Sequence, residues 1–140
     1  MRFVLETNVL VAALRSTHGA ANVLVSALPL TGWELTLSVP VYLEYQDVLL
    51  RPGKLPPIFT SSDSIAFCRF LASIAHPQDI HFLWPSFSPD PKDDMLLELA
   101  VAAGASHIVT HNTRHFPGAA SFGITALAPG PFLRLVGLRR

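Results

Sequence analysis

Four side chains with oxygen donors stand at positions where parallel-sheet proteins place ligand-binding groups. Glu6 ends the apolar run FVL, Glu44 lies in an apolar helical segment, and Asp94 opens a helix. Asn112 follows the strand-like stretch SHIVT. Carboxylate and amide oxygens from separate elements suit Mg²⁺ or Mn²⁺, which complete their coordination with water and substrate phosphate. The pattern therefore indicates phosphodiester hydrolysis by a metal-activated water.

Glu44 is the most informative of these residues. At about 100° per residue, a helix places Glu44 on the same side as Val41, Tyr45 and Val48. A buried carboxylate is unfavourable unless something pairs it, and this helix has no basic residue before Arg51. We expect Glu44 to be a ligand; the alternative is that it reaches water from the edge of the apolar stripe.

The acids of the segment DPKDD and the histidines of HNTRH can be explained without a metal site. Acids at a helix N-terminus are ordinary caps, which satisfy free N–H groups and the helix dipole. His111 and His115 would form a ligand pair only in a helical loop, and Pro117 argues against one. We therefore expect no zinc site there. The sequence also lacks GxGxxG, GxxxxGK[ST], GxSxG and paired CxxC motifs.

The elements that must position these residues alternate between strands and helices. We predict strands at 2–6, 33–38, 79–84, 106–110 and 123–127. We predict helices at 9–15 with Asn8 as N-cap, from Gly19 to Leu28, and at 40–50, 62–75, 93–104 and 129–136. This alternation predicts a parallel sheet with helices on both faces. Ligands of such sheets bind beyond the carboxyl ends of the strands.

The composition limits the classes of protein that this chain can belong to. Its 140 residues suggest a single domain over 1–140. Only 14% of them are charged, against about 25% on average, so apolar surface should remain for a partner such as a second copy. If the chain acts on nucleic acid, its net charge of zero means that bound metal must supply part of the positive charge or that the basic residues must be clustered. No apolar run approaches the ~18 residues of a membrane span, and the first residues predict a strand rather than a secretion signal, so we expect a cytoplasmic protein without a membrane segment.

Four segments of the chain together resemble a known family. FVLETNVLVAAL, LSVPVYLEYQDVLLRP, DPKDDMLLELAVAAGASHIVTHN and ITALAPGPFLRLV occur in the order of the motifs of PIN-domain proteins. The resemblance is to VapC-like members, the toxin components of toxin–antitoxin pairs. It runs from residue 2 to about 136.

The resemblance implies a three-layer α/β/α fold with a central, mainly parallel sheet, and a divalent-metal-dependent ribonuclease that uses Mg²⁺ or Mn²⁺. It also implies a homodimer that is silenced by a small antitoxin protein. The residues it assigns to the catalytic and metal site are Glu6, Glu44, Asp94 and Asn112, with Asp93 as a further ligand or an alternative to Asp94, and with Asn8 and Thr110 in supporting positions. The D-x-x-L-x-x-A spacing to Leu97 and Ala100 favours Asp94 over Asp93.

Two positions depart from the family pattern. Glu6 stands where the family has Asp, and Asn112 stands where it often has Asp. Because Mg²⁺ demands near-ideal geometry, we expect reduced activity, which Glu6→Asp would raise. The alternative function is a catalytically weakened PIN domain that acts as an RNA- or protein-binding module. A small-molecule-binding doubly wound domain is a third class, but no glycine-rich loop follows the first strand.

Overall fold

The computed structural model describes residues 1–80 and 90–138. Within them, five strands form one sheet in the order β3-β2-β1-β4-β5, and every neighbouring pair is parallel. The strands are β1 Arg2–Leu5, β2 Glu34–Leu37, β3 His76–Pro77, β4 His107–Val109 and β5 Thr125–Leu127. The helices are α1 Thr7–Arg15, α2 Ala20–Ser26, α3 Val39–Leu49, α4 Ser61–Ile74, α5 Pro91–Ala102 and α6 Pro129–Leu135. The predicted three-layer α/β/α fold with a parallel sheet is confirmed.

The central strand β1 sets the position of the site. It pairs with β2 on one side and with β4 on the other, so the chain changes direction across the sheet beside β1. Such a switch point opens a crevice at the carboxyl ends of the strands. Phe3, Val4 and Leu5 are fully buried, because helices cover both faces of a parallel sheet and its strands become nearly continuous apolar runs.

The third strand differs from its prediction. The sequence predicts a strand at 79–84, of which 81–84 lie outside the described residues. The structure instead pairs His76 and Pro77 with Thr36 and Leu37 of β2. These two residues directly follow α4, so the chain enters the sheet earlier than the apolar pattern indicates. None of the helices in the described ranges has the length and apolarity to cross a membrane.

Four helices, α1, α3, α4 and α5, begin one or two residues before their predicted starts. α4 is capped by Thr60, whose hydroxyl accepts from the Asp63 N–H at 3.1 Å, while the Asp63 carboxylate accepts from the Thr60 N–H at 2.9 Å. These two bonds form a capping box, which begins the helix one residue before the predicted 62. α1 begins at Thr7, which makes Glu6 its N-cap residue, yet the Glu6 side chain makes no capping bond. The side chain of Glu6 is therefore free for another role.

Tyr45 ties α3 to the end of β1. Its side chain is fully buried, and its hydroxyl donates to the Leu5 carbonyl at 2.5 Å. Burial raises the pKa of this phenol, so it stays protonated and keeps donating. The bond fixes the backbone immediately before Glu6.

We expect Tyr45→Phe to lower the free energy of unfolding by about 1–2 kcal/mol, since it leaves a buried carbonyl without that donor. Urea denaturation measures the change. Tyr42→Phe on the same helix is the matched control, because the Tyr42 hydroxyl accepts from the Gln46 side-chain amide at a partly buried position rather than bonding a buried backbone group. Equal losses in the two variants would contradict a specific role for the Tyr45–Leu5 bond.

Candidate metal centre

A cavity of about 260 Å³ lies where β1 and β4 end, between α1, α3 and α5. Its lining combines acidic and basic side chains with one imidazole. The lining residues are Glu6, Thr7, Asn8, Val41, Glu44, Val48, Arg51, Lys54, Asp90, Lys92, Asp93, Met95, Leu96, Asn112 and His115. The sequence-predicted residues Glu6, Glu44, Asp93, Asn112 and Asn8 thus share one cavity.

Three of the lining residues come close enough to share a metal ion. One ligand atom each from Glu6, Asp93 and His115 lies within 4.8 Å of the others. Two oxygens bound to the same ion at about 2.1 Å can be no more than about 4.2 Å apart. Small side-chain rotations would therefore bring all three atoms to an ion.

Glu6 carries a buried oxygen without a hydrogen-bond partner. Only 6% of the residue is exposed. Its Oε2 accepts from the Thr110 hydroxyl at 3.0 Å, whereas Oε1 has no partner among the described residues. Burial raises the pKa of this carboxyl group, with a smaller contribution from the nearby charge of Asp93. A buried carboxylate oxygen that no donor satisfies is unfavourable, and a cation at the cluster would compensate for it.

Thr110 orients Glu6 from the neighbouring strand end. It is fully buried, and its hydroxyl oxygen accepts from the Asn112 backbone N–H at 3.0 Å while donating to Glu6. Because that hydroxyl proton is committed to Glu6, the carboxylate is held in one orientation, as in the outer shells of metal sites. Asn112 thus acts on Glu6 through its backbone, and its exposed side chain lines the cavity.

In the segment DPKDDMLLELA, Asp93 lines the cavity and Asp94 does not. Asp93 is 7% exposed, and burial, followed by the nearby charge of Asp90, raises its pKa. Adjacent helical residues differ by about 100° in direction, so Asp94 points elsewhere and is not among the lining residues. The D-x-x-L-x-x-A spacing favoured Asp94 because Asp94 lies three residues before Leu97. That spacing does not show which of the two acids lies on the face of the helix that lines the cavity. Asp93 shares its face with the buried Leu96 and Ala100, three and seven residues later. Asp94 has Leu97 and Val101 at the same spacings, so periodicity alone does not separate the two acids.

His115 is the residue that sequence reasoning missed. Thr113–His115 form a short 3₁₀ turn, which brings the His115 Nδ1 to 3.5 Å from an Asp93 carboxylate oxygen. The turn covers Thr113–His115 alone, so the loop is not helical from His111 to His115, and no spacing in the sequence indicates the contact between His115 and Asp93. His111 is exposed and does not line the cavity, so the two histidines form no pair there.

Glu44 finds a partner on another helix. Its side chain is 15% exposed, and Oε1 lies 3.4 Å from the Lys92 ammonium of α5, which is 51% exposed. The sequence shows no basic residue near Glu44 on the same helix, and the structure supplies one from α5. Glu44 therefore lines the same cavity as Glu6, Asp93 and His115, and its partner Lys92 is one of the basic residues that also line it.

The comparisons with known proteins agree with this architecture. The sequence profile of the PIN domain matches residues 2–114. A solved structure, VapBC2 from Rickettsia felis bound to a DNA fragment from its promoter, superposes with a TM-score of 0.61 at 16% identity, over 91% of this chain and 98% of that one. No curated protein sequence matches the chain. The profile covers most of the sequence and the fold agrees, so the chain belongs to the PIN domain family.

Proposed function

We propose that this PIN domain is a divalent-metal-dependent endoribonuclease, the toxin of a toxin–antitoxin pair that acts in the cytoplasm. The observation that carries the proposal is the Glu6 Oε1, a buried oxygen that finds no partner in the described part of the chain, in a cavity that also holds Asp93 and His115. Oxygen donors of this kind fit Mg²⁺ or Mn²⁺. Such an ion, when bound, would activate a water and stabilise the charge on the phosphate.

The basic side of the same cavity supports a polyanionic substrate. Arg51, Lys54 and Lys92 line it together with the carboxylates. Arg51 pairs with the exposed Asp47 carboxylate at 2.7 Å, and Lys92 pairs with Glu44 at 3.4 Å. Although the net charge of the chain is zero, these side chains place positive charge where the backbone of an RNA would lie.

The test is cleavage of a mixed single-stranded RNA pool with Mg²⁺ or Mn²⁺, with chelator and with a matched single-stranded DNA pool as controls. The proposal predicts cleavage of RNA that stops with chelator. If RNA binds but is not cut with either ion, the chain is a weakened PIN domain that acts as a binding module. That outcome would fit the amide at Asn112 and the pairing of Glu44 with Lys92.

Glu44→Gln separates a role in the site from a role in stability. We expect RNA cleavage to fall at least about tenfold, a loss typical of residues that orient a metal site. We expect the melting temperature to change by less than about 2 °C, because the half-exposed Lys92 stays hydrated without its partner. Glu34→Gln is the matched control, since Glu34 pairs with Arg2 and does not line the cavity. A large loss of stability in Glu44→Gln alone would assign Glu44 a structural role.

The proposed partners are a second copy of the chain and a small antitoxin. α3 and α4 expose large apolar side chains that the fold leaves uncovered. They include Val39 at 70%, Leu43 at 55% and Phe70 at 41% exposure. Exposed apolar area of this kind favours a protein interface.

We expect light scattering at micromolar concentration to show a dimer, about twice the 15.2 kDa of the chain. Leu43→Glu should shift the species to a monomer, because it places a charge in the apolar surface. Leu135→Glu, at a similarly exposed residue on α6, is the matched control. A 15.2 kDa species in the unmodified protein would contradict the proposal.

A further inference from the structure

His115 gives the cluster a donor of a different chemical type from its carboxylates. Glu6 and Asp93 offer hard oxygen atoms, and His115 offers an imidazole nitrogen within the same 4.8 Å group. The histidine is half exposed, with 53% of its side chain accessible. Imidazole suits zinc, iron, nickel and copper, whereas Mg²⁺ prefers oxygen ligands and water. Mn²⁺ also prefers oxygen ligands, but it accepts an imidazole nitrogen beside carboxylates more readily than Mg²⁺ does.

We infer that His115 makes this site selective for divalent transition-metal ions over Mg²⁺, with Glu6, Asp93 and His115 as the three protein ligands. The inference rests on the proposed metal site and specifies which ion that site takes. Three protein donors leave the remaining coordination positions to water and substrate oxygens, as a hydrolytic site requires.

The backbone around the three donors prepares them for one ion. Glu6 follows β1, Asp93 lies in the first turn of α5, and His115 ends the 3₁₀ turn after β4. The Thr110 hydroxyl occupies Glu6 Oε2 and leaves Oε1, which is buried and has no partner among the described residues. That free oxygen is an observation independent of the histidine, and it points to a cation at the same place.

The experiment measures metal binding without any substrate. Chloride salts of Mg²⁺, Mn²⁺ and Zn²⁺ are titrated separately into the unmodified chain, Glu6→Gln, His115→Ala and His115→Asp, by calorimetry and by thermal shift. We expect His115→Ala to weaken Mn²⁺ and Zn²⁺ at least about tenfold, a loss that outer-shell substitutions at metal sites already reach, and to change Mg²⁺ affinity less than about threefold. His115→Asp should tighten Mg²⁺ relative to the unmodified chain, because a third carboxylate replaces the nitrogen.

His111→Ala is the matched control, since His111 is an exposed histidine of the same loop that does not line the cavity. Circular dichroism confirms that each variant is folded. If His115→Ala binds all three ions as the unmodified chain does, while Glu6→Gln binds none, the inference is overturned and the proposed metal site stands. If the unmodified chain binds none of the ions, the inference and the proposed function both fail.

Discussion

Asp93→Asn is expected to reduce metal-dependent RNA cleavage by about 100-fold or more, whereas Asp94→Asn should leave it within about threefold. Losing one charged group that acts on the transition state typically removes two to three orders of magnitude in rate. Asp93 is buried in the cavity beside Glu6 and His115, and Asp94 is not among the residues that line it. The measurement is single-turnover cleavage of one RNA at saturating metal.

The pair of variants is matched in chemistry and in position. Both remove one carboxylate from the first turn of α5, so both lose a similar interaction with the helix dipole. A difference in cleavage rate between the two variants therefore comes from the position of Asp93 in the cavity and not from a change in the stability of the helix. A larger loss in Asp94→Asn would mean that the D-x-x-L-x-x-A spacing identifies the ligand and that the placement of Asp93 does not.

Glu6→Gln is expected to abolish metal binding and at the same time to stabilise the metal-free protein. The substitution removes a buried negative charge whose Oε1 has no partner among the described residues. Functional sites commonly carry such a cost, and relieving it adds about 0.5–2 kcal/mol. Thermal unfolding in chelator measures the stability, and calorimetry with Mn²⁺ measures the binding.

The gain in stability should depend on pH in a defined direction. The pKa of Glu6 in the folded protein lies above its ordinary value of 4.5, so the folded state binds this proton more tightly than the unfolded chain does. The free energy of unfolding therefore decreases as the pH rises from about 4.5 through the raised pKa, and the loss is complete above it. Glu6→Gln lacks this loss, so its advantage in melting temperature should be smallest at pH 4 and largest at pH 8. An advantage that is constant with pH would contradict the burial of an ionised Glu6.

The same geometry changes the expectation for Glu6→Asp. The sequence favours an increase in activity, because the family has Asp at this position. In the structure, the longer side chain reaches the Thr110 hydroxyl with Oε2 and still presents Oε1 to Asp93 and His115. A side chain shorter by one methylene would give up one of these contacts, so the geometry favours a decrease. The assay used for Asp93→Asn distinguishes the two expectations.

The sequence by itself determined the architecture and the position of Glu6, the first of the proposed ligands. Alternating apolar segments predict the parallel sheet, since a strand buried on both faces must be continuously apolar. A carboxylate directly after such a strand must lie at the carboxyl edge of the sheet, where ligands bind. Glu6 and the family could therefore be identified from local patterns, without any knowledge of which residues meet in space.

Only the tertiary structure decided which other groups join Glu6. Thr110 lies 104 residues away in the chain, and no periodicity relates it to Glu6. The pairing of Glu44 with Lys92 joins two helices, and the proximity of His115 to Asp93 depends on the 3₁₀ turn over Thr113–His115, which no pattern in the sequence predicts. Such contacts follow from how the sheet brings strand ends and helix starts together, because distances between elements are set by packing and not by spacing along the sequence.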